Sequence, residues 1–154
     1  MTDRIQVVCG ALPRTHRAET QWLVGRRATG RDYPLRWEFP GGKVEHNETH
    51  EHALIREWQE ELHVRVTPAG RIATFDYDPG PLETRKAFRI ELHLLIPGPE
   101  PIGARARVHV DLRWMYVSQM LKNLHAHNSV PSMEPFAQAV AAYEQQQMMR
   151  GRRV

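Results

Sequence analysis

Two stretches near the N-terminus, "RIQVVCGAL" (residues 4–12) and "TQWLVGRR" (20–27), are rich in β-branched, aromatic and other apolar positions. A polar segment containing Pro13 separates them, which is the pattern of two paired strands. Residues 31–36 read as loop. From Thr49 to His63 the period changes. Leu54, Trp58 and Leu62 recur every four residues, predicting an amphipathic helix with Thr49 as its N-cap and Glu51 in its first turn. Further on, "GRIATFDY" (70–77) and "RKAFRIELHLLI" (85–96) read as strands around the turn "DPGPLE", and "HVDLRWMYV" (109–117) as another. The Pro/Gly segment 97–103 is a loop, because too little chain follows it to make a domain. A short helix is predicted at 118–124 and a longer one at 133–149, with Phe136, Val140 and Tyr143 on one side. No internal repeat is present.

The polar face of the first helix changes the picture. At about 100° per residue, Glu57, Glu60 and Glu61 fall within roughly 100° of one another, on an edge the apolar stripe does not cover. Like charges at i, i+3 and i+4 repel, so the helix gains nothing from them in isolation. Either this is a solvated acidic face or a cation sits there. Carboxylate oxygens suit hard divalent ions such as Mg²⁺ or Mn²⁺, which also bind phosphate oxygens.

Composition narrows the classes. With 154 residues, 41% hydrophobic and 25% charged, the chain fits one globular domain over residues 1–154. No apolar run approaches the roughly 18 residues of a membrane span, and the N-terminus has no basic segment leading into an apolar core, so a cytoplasmic protein with no membrane partner is expected. The single cysteine, Cys9, makes no internal disulfide and reads as a buried strand residue rather than a nucleophile. The formal net charge is +3, but the basic residues are scattered and cluster only in the tail "MMRGRRV", which reads as a solvated terminus. A nucleic-acid polymer is therefore not expected as a partner, since its footprint is a concentrated basic patch with aromatic platforms. Only three of the 21 basic residues are lysine. Arginine grips phosphate bidentately, although genome composition produces the same bias.

Gly42, five residues, Glu48, seven residues, Arg56-Glu57, Trp58, one residue, Glu60-Glu61, two residues, Val64: this series resembles the Nudix box, G-x5-E-x7-R-E-U-x-E-E-x-G-U with U bulky and apolar. At average residue usage, the six matched Gly, Glu and Arg positions recur by chance on the order of 10⁻⁸ per start point. Outside the box, "RWEFPGGKVE" is similar to the strand and loop that precede it in MutT-type nucleoside triphosphate pyrophosphohydrolases. "RWMYVSQML" and "PSMEPF" are similar to their last strand and terminal helix. The resemblance implies an α/β Nudix fold, a three-layer α/β/α sandwich around a mixed β-sheet. It also implies Mg²⁺- or Mn²⁺-dependent hydrolysis of a nucleoside diphosphate linked to a group X, most simply a nucleoside triphosphate cleaved to a monophosphate and pyrophosphate. Hydrolysis of ADP-ribose or a dinucleoside polyphosphate is the alternative within the enzyme class, and a ligand sensor without turnover the alternative outside it.

Carried onto this chain, the resemblance makes Glu57 and Glu61 metal ligands with Glu60 assisting, and Gly41 a ligand through its carbonyl. Glu57 is the general base, Arg56 orients it, and Glu48 holds Arg56. Arg27 matches a phosphate-binding arginine, with Arg26 the adjacent alternative. Glu38, Phe39, Pro40 and Gly41 match a substrate-lining segment in which Phe39 meets the base, while Trp37 turns to the core. Lys43 either neutralises phosphate or faces solvent. The box departs from its pattern at His63, where the family has glycine. That position commonly takes a left-handed backbone, which costs a non-glycine residue roughly 1–2 kcal/mol, so lost stability is expected there rather than lost chemistry. His46, His50 and His52 are not proposed as ligands, because the flanking glutamates point to a hard ion; a zinc site at these histidines is the lesser alternative. Some relatives add an acidic ligand before the last strand, where this chain has Val108 and His109, with Asp111 the only acid nearby. At the position where MutT-like enzymes read the base with Asn or Asp, this chain has Met133, which is either a weakly selective base contact or a core residue at the start of the helix. Pro79 lies at an offset similar to that of a proline in relatives that cleave ADP-ribose or dinucleotides, but "DPGP" reads more simply as a turn.

Overall fold

A computed structural model describes residues 3–79, 86–99 and 109–151. Residues 80–83 of the "DPGPLE" turn, Thr84 and Arg85, residues 100–108 from the Pro/Gly loop to Val108, and the last three residues of the tail lie outside the described residues.

The elements run β1 (Ile5–Ala11), β2 (Pro13–His16), β3 (Glu19–Arg27), β4 (Trp37–Glu38), β5 (Gly41–Lys43), α1 (His50–Leu62), β6 (Val66–Tyr77), β7 (Phe88–Pro97), β8 (His109–Met115), α2 (Val117–His125) and α3 (Met133–Gly151). One sheet has the order β5-β1-β7-β6, with β1 and β7 parallel and the other pairs antiparallel. In the second sheet β2 and β4 pair successive parts of β3, and β8 also pairs with β3.

The expected pairing of the first two strands is not what forms. Arg17 and Ala18 both take positive φ (50° and 64°), making a two-residue turn that folds Pro13–His16 back onto β3 as a hairpin. The polar segment is thus itself a strand, and β1 goes to the other sheet, beside β5 and β7. The strand expected at 70–77 begins earlier, at Val66. The remaining predicted elements appear within a few residues of their expected bounds.

Strand alternation divides the interior into two layers. Val8 of β1 and Leu12, which follows it, join Leu54, Trp58 and Leu62 of α1 and Leu95 of β7. Cys9 and Ala11 point the other way, to a larger cluster with Trp22, Val24, Leu92, Met120, Phe136 and Val140. Helix α1 therefore covers one side of the mixed sheets, and α2 and α3 the other, giving the three-layer α/β/α arrangement. Among the described residues no helix is long and apolar enough to cross a membrane.

Candidate active site

Both ends of α1 are set by local chemistry. The Thr49 hydroxyl accepts from the His52 backbone N–H at 3.1 Å, the N-cap that the sequence predicts. At the other end His63 is left-handed, with φ 54° and ψ 35°. There its N–H donates to the Gln59 carbonyl at 3.1 Å, and that of Val64 to the Trp58 carbonyl at 3.3 Å. The helix buries Ala53, Leu54, Trp58 and Leu62. Trp58 also fixes the loop beneath it: its indole Nε1 donates to the Pro40 carbonyl at 3.1 Å, and the Gly10 N–H donates to the same oxygen at 2.8 Å.

Arg56 is the hub of the acidic face. Its Nε and Nη2 donate to the two oxygens of Glu48 at 3.1 and 2.6 Å, a bidentate fork. Nη2 also donates to the Lys43 carbonyl at 3.0 Å, and Nη1 to Glu57 Oε1 at 3.0 Å and Glu60 Oε2 at 3.4 Å. Glu48 in turn accepts the Glu45 backbone N–H at 2.7 Å. Hydrogen bonds from Arg56, then from Glu45, hold the Glu48 carboxyl down at about 2. The arginine thus joins the loop after β5 to the helix and fixes one oxygen of Glu57.

Glu57 is largely buried, at 13% side-chain exposure, whereas Glu60 is 61% exposed. A Cβ at Gly42 would overlap the Glu57 carboxyl, so glycine there is what lets the carboxylate lie against the loop backbone. Burial, and next the charges of Glu57 and Glu38, push the Glu61 carboxyl up to about 8, with Arg31 working against them. The Cys9 thiol is also pushed up, first by burial, then by Glu38 and Glu61. Cys9 is thus a buried, neutral strand residue. A carboxylate raised by burial and by the carboxylates beside it sits where an all-oxygen set gains from a hard cation. The donors present, the carboxylate oxygens of Glu57 and Glu61, fit a hard divalent cation.

Beside this cluster stands a second group. Arg27 Nη1 donates to Glu38 Oε2 at 2.9 Å and its Nε to the Asp32 carbonyl at 2.6 Å. His109 Nε2 lies 2.9 Å from the other Glu38 oxygen. The β3–β8 register shifts between Arg26 and Arg27, so that Arg26 pairs with Asp111 and Arg27 with His109. This bulge turns both side chains toward Glu38. A Cβ at Gly25 would collide with the His109 ring, and among the described residues His109 Nδ1 is buried without a hydrogen-bond partner.

The structure therefore brings Arg56, Glu57, Glu60 and Glu61 together with Glu48 and the Gly41–Lys43 backbone, and places Arg27 and Glu38 next to them. The Lys43 side chain is exposed, and Trp37 is buried at 6%, opposite Glu38, as strand alternation predicts. Phe39 and Met133 are 2% and 1% exposed and lie with Phe136 in the larger core cluster; Phe39 meets Phe136 edge-on at 6.3 Å. Met133 thus occupies the core position at the start of α3. Asp111 pairs with Arg113 at 2.8 Å and Arg26 with the Leu35 carbonyl at 3.0 Å. The pairing of His109 with Glu38 is not evident from the sequence. Its only trace is a histidine at the place where an acidic ligand was sought.

The NUDIX domain family matches residues 6–138. The chain is 29% identical over 140 residues to the CTP pyrophosphohydrolase of Escherichia coli K12, covering 90% of this chain and 95% of that protein. It is 55% identical over 42 residues to the 8-oxo-dGTP diphosphatase of Proteus vulgaris, a match spanning 27% of this chain and 38% of that protein. Its fold is similar to the solution structure of the E. coli ORF135 protein, with a TM-score of 0.68 and 27% identity over 92% of this chain and 91% of that one. With the box carboxylates in place on a capped helix and the family matched across most of its length, the chain belongs to the Nudix family.

Proposed function

We infer that the protein is a Mg²⁺- or Mn²⁺-dependent nucleoside triphosphate pyrophosphohydrolase of MutT type, releasing a nucleoside monophosphate and pyrophosphate. The observation that carries this reading is the paired, largely buried Glu57 and Glu61, with Glu61 raised to about 8 and Arg56 fixed behind them by Glu48. The names of the E. coli and P. vulgaris relatives, a CTP pyrophosphohydrolase and an 8-oxo-dGTP diphosphatase, support the same substrate class.

Glu57 and Glu61 would hold the cation, with Glu60 and the Gly41 carbonyl beside them. A bound divalent ion would supply neutralisation of the polyphosphate and a water of lowered pKa. Glu57 takes a proton from the attacking water as its oxygen adds to phosphorus and the phosphoanhydride bond breaks, with pyrophosphate leaving. Arg56, itself held by Glu48, keeps the Glu57 carboxylate in one orientation, a positioning role. Arg27, at the edge of the site, binds phosphate, and Lys43 supplies a second positive charge from the rim. Glu38 holds Arg27 in place and closes the site on the side of His109.

Base selectivity is expected to be broad. Met133, where MutT-like relatives carry an amide or carboxylate, is buried in the core and offers no donor and only a weak acceptor, so no polar side chain at that position reads the base. The experiment is a screen of common and oxidised nucleoside triphosphates, ADP-ribose and dinucleoside polyphosphates in Mg²⁺, with products identified. Monophosphate and pyrophosphate from several triphosphates at similar kcat/KM support the reading. Turnover confined to ADP-ribose or dinucleotides would overturn it.

A further inference from the structure

At the N-terminal end of α1, away from the box carboxylates, three side chains from two elements converge. His50, the first residue of the helix, places Nδ1 2.8 Å from Glu91 Oε2, and His93 places Nε2 2.8 Å from the same oxygen. Glu91 and His93 are two apart on β7 and so share the face that α1 covers, the face on which Leu95 joins the core beneath the helix. Both are nearly buried, with side-chain exposures of 10% and 5%, while His50 is 30% exposed. We propose that His50, Glu91 and His93 form a second metal site, for a borderline transition ion of the Zn²⁺ type, that ties the start of α1 to β7.

Donor chemistry favours this class of ion. Two imidazole nitrogens and one carboxylate are a three-ligand set suited to zinc, whereas Mg²⁺ takes oxygen and keeps its waters. The geometry is close. The three donor atoms lie within 4.8 Å of one another. On a tetrahedral ion with bonds of about 2.0–2.1 Å they would stand about 3.3 Å apart, so the two 2.8 Å contacts need open by only about half an ångström. Each histidine would present the lone pair of the nitrogen that now faces Glu91, its proton residing on the other ring nitrogen. Arg71 Nη1 lies 3.3 Å from the other glutamate oxygen, Oε1. It can keep that oxygen while Oε2 takes the metal, the outer hold that ligating carboxylates usually have. Burial works to raise the Glu91 carboxyl, but hydrogen bonds from His50 and then His93 outweigh it and hold it below its ordinary range. The fourth position opens into a solvent-facing cavity of about 460 Å³ lined by these three residues, Glu51 and Arg71.

This proposal does not rest on the hydrolase reading, and its test uses Zn²⁺ binding and Co²⁺ absorption rather than turnover. The full-length chain is dialysed against Zn²⁺ in excess Mg²⁺, and bound zinc is counted and titrated for wild type, for Glu57→Gln/Glu61→Gln, and for His50→Ala and His93→Ala. Co²⁺ loading adds a spectroscopic signature of four-coordinate nitrogen and oxygen ligation. The expected result is one zinc per chain in wild type and in the glutamate double variant, with tetrahedral Co²⁺ bands. Affinity should fall at least about tenfold in His50→Ala, a half-exposed position that leaves folding intact even where His93→Ala does not. Zinc lost in the glutamate double variant, unchanged affinity in His50→Ala, or no zinc bound by wild type would each overturn it.

Discussion

The two ends of α1 carry ligand sets of opposite character. Toward the C-terminal end, Glu57, Glu60 and Glu61 offer oxygen alone, and Arg56, which bonds Glu57 and Glu60, is committed to Glu48 by a two-point fork. At the N-terminal end a single carboxylate, Glu91, is already satisfied by two imidazoles and a guanidinium. In the first set burial and like charge leave Glu61 raised to about 8, whereas in the second hydrogen bonds hold Glu91 below its ordinary range. One thirteen-residue helix thus carries a site whose carboxylates outnumber their positive partners and another whose single carboxylate is fully partnered. A hard cation with a polyphosphate completes the former, and a borderline ion would replace hydrogen bonds in the latter.

The sharpest break of this comparison is Glu57→Gln. It should lower Mg²⁺-dependent turnover by about 10² to 10⁴-fold, the range of general-base loss, while leaving His50, Glu91 and His93 untouched. Steady-state kinetics across a Mg²⁺ titration check it, and wild-type rates would remove Glu57 from the chemistry. Arg56→Lys comes next. A lysine keeps the charge but not the fork to Glu48, so kcat should fall about 10 to 100-fold, as for loss of an outer-shell partner, with KM little changed; a change confined to KM would speak against a positioning role.

The pH dependence of the metal-free protein is a smaller effect. Because the folded Glu61 carboxyl sits near 8 rather than at the ordinary 4.5, the folded state keeps a proton that the unfolded chain releases. That contribution is fully present below 4.5 and is lost as pH rises through 8. In chelator, stability should therefore decline across this window, and Glu61→Gln should flatten the decline by at least about 1 kcal/mol, one pKa unit's worth. Urea melts at several pH values measure it, and parallel wild-type and variant curves would refute it. The smallest effect is at the helix end. His63→Gly removes a left-handed histidine and should raise stability by about 1 kcal/mol with turnover unchanged; an equal or lower unfolding free energy would contradict the capping account.

What the sequence reveals is local. Thr49, His63 and the four-residue recurrence of Leu54, Trp58 and Leu62 act within one helix, so caps, buried face and acidic edge are all legible, as is Trp37 against Glu38 in one strand. Strand partnership is not local. The two-residue turn at Arg17 and Ala18 lacks the Asn-Gly signature of such turns, so β2 goes unseen and β1 is given the wrong neighbour. His50 and Glu91 are 41 residues apart and Glu38 and His109 are 71 apart. No spacing rule joins such residues before the sheets are built, although a glutamate and a histidine among the leucines of "IELHLL" are a polar pair on a strand that must be buried.

The central claim is that the oxygen-only half of α1 is a hard-cation site. Mn²⁺ binding by electron paramagnetic resonance, with a non-hydrolysable nucleoside triphosphate present, tests it most directly in wild type, Glu57→Gln and His50→Ala. The account expects nucleotide-dependent Mn²⁺ binding in wild type and His50→Ala and its loss in Glu57→Gln. Binding that survives Glu57→Gln, or that disappears in His50→Ala, would contradict it.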